Sequence, residues 1–291
     1  MVTRIVGGAL PLLAALAWLV VIGHAQRPVS GLRLYVLDGG VLESDPARYR
    51  LKPEEVARTQ LSIAAFLVVH PKGTLLWDTG AIADDSWTPG NRAVRRHLVM
   101  SSGQDRYVTL RSPLVPQLKA AGYAPADVTH LALSHFHWDH VANANLFAKA
   151  TWLVRQTERD GLFPQSTPIP PYPSTYGYLR NSTTTILSAD EHDVFGDGTV
   201  IIKASTGHTP GHQVLYLELE KTGPVVLSGD LYHYPEERTL RRLPVNEFDE
   251  EQTRRSREVL ESFLTRKGAR LWIQHDLVAH EKLKKSPQFY D

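Results

Sequence analysis

Four side chains that can bind metal ions lie within six consecutive positions of the chain, directly after an apolar run at residues 128–133. They are His135, His137, Asp139 and His140. Alternation along an extended strand points His135 and His137 to one side, and a turn just beyond can bring the other two round to the same cavity. A single histidine on an apolar strand is usually a hydrogen-bonded core residue. Four metal-capable side chains in six positions instead favour a site with two adjacent metal positions.

Three later positions follow the same pattern. His208 lies in a loop shaped by two glycines and a proline, Asp230 ends a Val-rich run, and His275 ends the last apolar run. His212, four residues after His208, is expected to support a ligand and not to be one. The chain has no cysteine, so the ligands must be imidazoles and carboxylates. This donor set favours zinc, although manganese, iron and cobalt are compatible with the same ligand types.

The hydropathy pattern predicts an α/β fold. Helices are expected at 115–122 and 249–267, and 81–107 and 161–183 are expected to be irregular binding loops or lids. Strands grouped in each half, with helices between and after them, indicate two sheets packed face to face and covered outside by helices. The predicted strands are 31–37, 61–70, 74–77, 128–133, 199–204, 213–219, 225–227 and 269–273.

The N-terminus predicts export. One basic residue, Arg4, precedes an uncharged run at 5–23, and small residues before Gln26 suit cleavage after Ala25. We therefore expect a signal peptide at 1–25, a single domain at 26–291 and a periplasmic or secreted protein. The run is also nearly long enough for a permanent membrane anchor, which would replace cleavage.

The charge balance argues against nucleic acid as a partner. The whole chain carries a formal charge of +1, and removal of residues 1–25 takes away one basic and no acidic residue. A mature chain with no net charge lacks the basic surface that nucleic-acid binding requires. The expected partner is a small-molecule substrate, with no stable membrane association if the signal is cleaved. The sequence leaves the oligomeric state open, with a homodimer as one option.

The ordered motifs resemble the metallo-β-lactamase superfamily. They are His-x-His-x-Asp-His at 135–140, Gly-His-Thr-Pro-Gly-His at 207–212, Gly-Asp at 229–230 and a late histidine at 275. The resemblance implies a four-layer αβ/βα sandwich with two divalent metal ions. One would be held by His135, His137 and His208, the other by Asp139, His140 and His275, and Asp230 would bridge them. Asp78, in Asp78-Thr79-Gly80, is either a buried residue that orients a ligating histidine or a turn-forming aspartate.

Finer details resemble the N-acyl-homoserine lactonase branch, particularly its exported members. They are the motif at 207–213, Asp230, Gln274-His275-Asp276 and the C-terminal run 282–291. The resemblance implies opening of an acylated lactone by attack of a metal-bridging hydroxide, with Asp139 moving the proton. That branch often places a tyrosine three residues after the bridging aspartate. Here the position is His233, with Tyr232 one place earlier, and His233 is the favoured donor to the substrate carbonyl.

An acyl chain needs an apolar trough, and five aromatic residues are candidates to line it: Trp87, Phe136, Trp138, Tyr172 and Tyr176. The same scaffold could instead carry an organophosphate or arylester hydrolase, a β-lactamase or a glyoxalase-type thioesterase. A bridging Asp230 argues against the β-lactamases, and export argues against the thioesterase. A non-catalytic metal-binding sensor is a further alternative, but all seven ligand positions are intact.

Overall fold

The computed structural model describes residues 30–87, 92–100, 103–164 and 174–291. The predicted signal peptide lies outside this part of the chain, so its cleavage stays a prediction. Across the described ranges, every helix is too short or too polar to cross a bilayer.

The described residues form two sheets. The strands are β1 (Arg33–Leu42), β2 (Leu61–His70), β3 (Gly73–Trp77), β4 (Val94–Val99), β5 (Asp105–Leu110), β6 (His130–Ala132), β7 (Thr151–Val154), β8 (Thr184–Ile186), β9 (Glu191–Asp193), β10 (Val200–Ala204), β11 (Gln213–Leu219), β12 (Gly223–Leu227), β13 (Arg270–Trp272) and β14 (Phe289–Tyr290). The larger sheet has the strand order β4-β5-β1-β2-β3-β6-β7-β8, with β14 also paired to β1, and the smaller has the order β13-β12-β11-β10-β9. The helices are α1 (Leu114–Ala120), α2 (Trp138–Val141), α3 (Gln156–Leu162), α4 (Pro235–Thr239), α5 (Glu250–Lys267) and α6 (Leu277–Lys282).

Side-chain alternation in β1 shows how the larger sheet is covered on both faces. Leu34 and Val36 pack between the sheets, in a core that also contains Leu215 from the smaller sheet. Tyr35 and Leu37 point to the opposite face, where they join a cluster that includes Leu118 of α1. Successive residues of a strand face opposite sides, so one apolar strand contributes to two cores.

The smaller sheet repeats this arrangement. Val214 and Tyr216 of β11 pack on the outer face against Leu260 and Phe263 of α5, whereas Leu215 packs between the sheets. The order from one side to the other is therefore helices, sheet, sheet, helix. This confirms the predicted four-layer α/β sandwich and the predicted positions of its principal strands.

Strand direction gathers five chain segments at one edge of the sandwich. In the larger sheet β3, β6 and β7 are parallel neighbours, and in the smaller sheet β12 and β13 are parallel. β10 and β12 both pair antiparallel with β11 and so also run in one direction. The residues that follow β3, β6, β10, β12 and β13 include all seven predicted ligands, and carboxyl ends of strands are where layered α/β proteins place their sites.

The predicted irregular segments differ in part from the structure. Residues 81–107 include β4 and the start of β5, which pair as a hairpin at the edge of the larger sheet. β4 was missed because Arg95 and His97 project from its exposed face and interrupt the apolar pattern. Residues 161–183 begin in the end of α3 and contain a 3₁₀ helix at Gly177–Asn181, while 165–173 lie outside the described residues.

Candidate metal centre

Seven predicted side chains converge at this edge as two groups. The first group is His135, His137, His208 and Asp230, and the second is Asp139, His140 and His275. Within each group, one potential ligand atom from every residue lies within 4.8 Å of the others. Each group therefore has the residue types and the proximity to hold one metal ion.

Asp230 lies between the two groups. Its Oδ2 is 3.5 Å from the Nε2 atoms of both His135 and His208, and its Oδ1 is 3.1 Å from His140 Nε2 and 3.0 Å from His275 Nε2. Ligand atoms around a tetrahedral zinc are about 3.3 Å apart, given bonds of about 2.0 Å. One carboxylate thus offers an oxygen to each group at separations that suit coordination.

Several of these atoms are buried without a hydrogen-bond partner. Among the described residues they include His140 Nε2, His275 Nε2 and Asp230 Oδ1, which face one another. Unpaired buried polar atoms are costly and need an explanation such as an ion. The unpaired atoms and the His/Asp donor set both fit divalent metal ions.

The outer nitrogens of the imidazoles are held by the protein. His135 Nδ1 lies 3.0 Å from Ser134 Oγ, His208 Nδ1 lies 3.0 Å from Glu247 Oε1, and His275 Nδ1 lies 2.6 Å from Ser62 O. Such contacts fix the tautomer and the ring orientation, leaving Nε2 to face a metal. Each of these three rings is therefore oriented before an ion arrives.

Asp78 organises the first motif from the end of β3. It is fully buried, accepts hydrogen bonds from the Ser134 amide (2.6 Å) and hydroxyl (2.9 Å), and lies 2.9 Å from His140 Nδ1. Gln274 Nε2 donates to it at 2.8 Å. Of the two alternatives for Asp78, the geometry supports the buried residue that orients a ligating histidine.

His212 lies behind Asp230 and outside both ligand groups. Its Nε2 accepts a hydrogen bond from the Asp230 amide at 2.9 Å, and its Nδ1 lies 2.9 Å from the Ser205 carbonyl. Burial lowers the pKa of His212 to about 3, with the charge of His208 contributing. The ring is therefore neutral at pH 7 and can serve as the acceptor that places the Asp230 backbone.

Burial also determines the protonation of the ligand groups. It lowers the pKa of His137 to about 3 and that of His208 to about 3, which keeps their lone pairs free at pH 7. Burial would lower the pKa of His140 too, but the carboxylates of Asp230 and Asp78 outweigh it and raise that pKa. Two ligands are thus neutral without a metal, and the third is paired with carboxylates.

The 207–212 motif requires glycine for close packing. Gly207 has a φ of +129°, and a Cβ there would lie 2.3 Å from the Thr253 amide nitrogen at the start of α5. No other residue fits this approach, because both the left-handed backbone and the short distance exclude a side chain. The His208 loop is thereby fixed against α5.

Glu158 is a site residue that sequence analysis missed. It is 3% exposed, and it accepts hydrogen bonds from the Phe136 amide (2.9 Å), the Gly211 amide (2.7 Å) and the Thr209 hydroxyl. It therefore joins the two loops that carry His137 and His208. Glu158 lies in α3, about twenty residues beyond the first motif, in a polar segment with no motif of its own.

His233 and Tyr232 point to different sides in the structure. His233 lines the metal cavity, and its Nε2 lies 3.1 Å from Asp230 Oδ2. Tyr232 points away, because its ring packs with α5 and its hydroxyl donates to Glu261 Oε1 at 3.1 Å. Neighbouring residues of an extended segment face opposite sides, so Tyr232 does not line the described cavity and the structure favours His233 as the residue that faces a substrate.

The described part of the predicted aromatic trough differs from the structure. The cavity beside the metal groups measures about 710 Å³, and of the four candidates that the structure describes only Trp138 lines it. Phe136 and Tyr176 pack into the helix-side core of the larger sheet, and Trp87 packs beside Trp138 in another cluster. Tyr172 lies outside the described residues. The cavity is instead lined partly by Tyr49, Leu61 and Met100, together with several charged side chains.

Comparison with known proteins places the chain in a family. The model of the metallo-beta-lactamase superfamily matches residues 58–271, which is well over half of the chain. The N-acyl homoserine lactonase AttM of Azorhizobium caulinodans is 30% identical over 275 residues, covering 90% of this chain and 100% of the relative. The N-acyl homoserine lactonase of Bacillus cereus is 26% identical over 266 residues, covering 88% of this chain and 98% of that relative.

Solved structures share the fold. A mutant of AiiA from Bacillus thuringiensis with N-decanoyl-L-homoserine at its active site superposes with a TM-score of 0.71 at 22% identity, covering 90% of this chain and all of that one. AidC, described as a dizinc quorum-quenching lactonase, gives 0.61 at 18% identity, covering 91% of this chain and 96% of AidC. With its four-layer fold and its His/Asp centre, the chain belongs to the metallo-β-lactamase superfamily and is a metal-dependent hydrolase.

Proposed function

We propose that this chain is a dinuclear metal-dependent lactonase that opens the ring of N-acyl homoserine lactones and so quenches quorum signals. The observation that carries the proposal is Asp230, whose two oxygens face two separate His/Asp groups at 3.0–3.5 Å. Relatives named as N-acyl homoserine lactonases that align over nearly their whole length support the substrate class.

The proposed ligand assignment follows the two groups. His135, His137 and His208 would hold one ion, Asp139, His140 and His275 the other, and Asp230 would bridge them. Imidazole and carboxylate donors without thiolate favour zinc. AidC, which has a similar fold, is described as a dizinc lactonase. Two such ions, when bound, would polarise the ester carbonyl and activate a water molecule.

Asp139 is the proposed proton carrier. It lines the cavity, and its oxygens lie 3.9 Å from His140 Nε2 and 3.8 Å from His275 Nε2. These separations are longer than those of Asp230, and the Asp139 side chain also borders the cavity that the substrate would enter. Asp139 can therefore accept a proton from the attacking water and return it to the alkoxide of the opened ring.

His233 is the proposed partner of the substrate carbonyl. Its ring stacks on that of His275, with centroids 5.4 Å apart and planes 4° apart, so its orientation is fixed. Glu237 accepts a hydrogen bond from the His233 backbone amide, which holds the residue at the cavity wall. If Asp230 binds metal, the His233 Nε2–H beside it would become available to donate to a lactone oxygen.

The decisive experiment uses purified protein of known metal content. Hydrolysis of hexanoyl- and decanoyl-homoserine lactone is compared with hydrolysis of a β-lactam and a phosphotriester, with and without a chelator. The proposal expects chelator-sensitive turnover of the lactones, and loss of that turnover in Asp230→Asn. If the phosphotriester or the β-lactam is hydrolysed and the lactones are not, the same metal centre acts on another class of substrate.

Export is part of the proposal. An N-terminal signal at 1–25 would deliver the domain at 26–291 to the periplasm or the medium, where lactone signals pass. Mass spectrometry of the chain recovered from those fractions should give a mature N-terminus at Gln26. An uncleaved chain in the membrane fraction would indicate the anchor instead.

A further inference from the structure

Two arginines line the metal cavity. Arg48 lies in a 3₁₀ helix (Pro46–Tyr49) after β1, and Arg106 lies in β5. Both line the same cavity as Asp139 and His275, and both side chains are half-buried. Neither has a role in the metal centre, so their presence in this cavity needs a separate explanation.

Neither arginine forms an ion pair within the described residues. Arg106 donates to the Asp105 carbonyl at 3.0 Å and to Gln104 Oε1 at 2.7 Å, both of which are uncharged acceptors. The undescribed ranges contain no aspartate or glutamate, so they offer no carboxylate partner either. Two guanidinium groups thus lie beside a cavity without a direct ion pair to a described carboxylate, and partial burial makes such a charge costly.

Three acidic residues of the cavity wall outside the metal groups have other partners. Glu43 forms a two-point pair with Arg95 at 2.7 and 3.0 Å, and Asp105 pairs with His97. Asp45 accepts from the Ala47 amide at 3.0 Å and caps the 3₁₀ helix. Burial, followed by the nearby charge of Arg48, lowers the pKa of Arg106, and the weaker opposing effects of Tyr49 and Asp139 do not cancel this shift.

We propose that Arg48 and Arg106 form an anion-binding subsite of the metal cavity, and that the substrate is an acylated lactone whose acyl group ends in a carboxylate. The inference rests on the proposed lactonase function and narrows its substrate class. A guanidinium matches a carboxylate in charge and in its two-point geometry. A plain alkyl chain would meet these cations without compensating them, and three of the four described aromatic candidates lie outside the cavity lining.

The test compares two lactones of equal chain length. N-hexanoyl-homoserine lactone ends in a methyl group, and N-adipoyl-homoserine lactone carries a carboxylate at the same end. We expect kcat/KM to be at least about tenfold higher for the adipoyl compound, because hydrogen bonds to charged groups are among the strong ones. Added salt should raise KM for the adipoyl compound and leave KM for the hexanoyl compound nearly unchanged.

Variants locate the effect. In Arg48→Gln and Arg106→Gln the preference for the adipoyl compound should fall toward one, and in the double variant it should disappear. Arg254→Gln is the matched control, because Arg254 lies on the exposed side of α5, paired with Glu250 at 3.6 Å. Thermal unfolding of each variant separates a folding defect from loss of the subsite. The effect of salt on KM is measured on the unmodified protein, so that test does not depend on whether a variant folds.

Binding separates this inference from the lactonase proposal. Dissociation constants of the two ring-opened compounds, N-hexanoyl- and N-adipoyl-homoserine, are measured by calorimetry on metal-loaded protein. Tighter adipoyl binding that depends on both arginines supports the subsite even if neither lactone is turned over. Equal or weaker binding and turnover of the adipoyl compounds would overturn the inference while leaving the lactonase proposal intact.

Discussion

Replacing Glu158 with glutamine tests whether the metal groups depend on a residue that no motif contains. Glu158 joins the loops of His137 and His208 by accepting from Phe136 N, Gly211 N and Thr209 Oγ1. Glutamine has nearly the same shape but only one acceptor oxygen. If the glutamine oxygen takes the place of Oε1, the glutamine NH₂ group takes the place of Oε2 and faces the Phe136 N–H. Two hydrogen-bond donors then face each other in a buried position.

The magnitude follows from these contacts. One buried hydrogen bond is lost with its donor left unpaired, and the remaining two lose the benefit of a charged acceptor. Together these changes should lower the free energy of unfolding by about 3 kcal/mol. In a chain of this size that corresponds to a fall in Tm of roughly 5 °C. Looser loops should also weaken metal affinity by about 10- to 100-fold, as loss of contacts that orient ligands does.

The assay combines urea unfolding of the metal-free protein with metal titration of the folded protein. Asp160→Asn is the matched control. It removes a carboxylate from the same helix, and this carboxylate accepts a hydrogen bond from the exposed Gln156 at 2.7 Å instead of joining the two loops. We expect the control to retain both properties. Unchanged unfolding and unchanged metal affinity in Glu158→Gln would refute the reasoning, because the bridge between the loops would then contribute nothing.

Three further predictions follow from the site. Asp230→Asn should reduce bound metal and lactone kcat/KM together, by at least about tenfold, and normal metal content with normal activity would argue against a bridging carboxylate. Tyr232→Phe should keep activity within about twofold. It should lower the free energy of unfolding by about 1 kcal/mol, because the hydrogen bond to Glu261 is lost. A large loss of activity would indicate that Tyr232 contacts the substrate. In metal-free protein the pKa values of His137 and His212 are lowered by burial to about 3, whereas an unfolded histidine titrates near about 6.5. The unfolded chain alone therefore binds protons between those values, so the free energy of unfolding should fall as pH drops from about 6.5 to about 4, by up to about 1.4 kcal/mol per pH unit for each histidine. Urea unfolding at pH 7 and pH 5 measures this, and equal stability at both would contradict it.

Local sequence patterns predicted the layers well, because burial on both faces leaves a clear signal. The run 61–70 matches β2, and 213–219 matches β11, since every position of β2 and nearly every one of β11 is buried. β4 was not predicted because it is an edge strand whose alternate residues, Arg95, His97 and Val99, are exposed. Its pairing with β5 is decided by tertiary contacts and not by a local apolar pattern.

The sequence by itself determined which side chains could hold metal and that they would follow strands, because few residue types bind metals and their ordered spacing is specific. Only the tertiary structure decided how Asp230 divides its oxygens between two groups, how Glu158 joins two loops, and which way Tyr232 points. It also decided that Arg48 and Arg106 share the metal cavity. These features depend on contacts between residues far apart in the chain, and such contacts leave no periodic trace in the sequence.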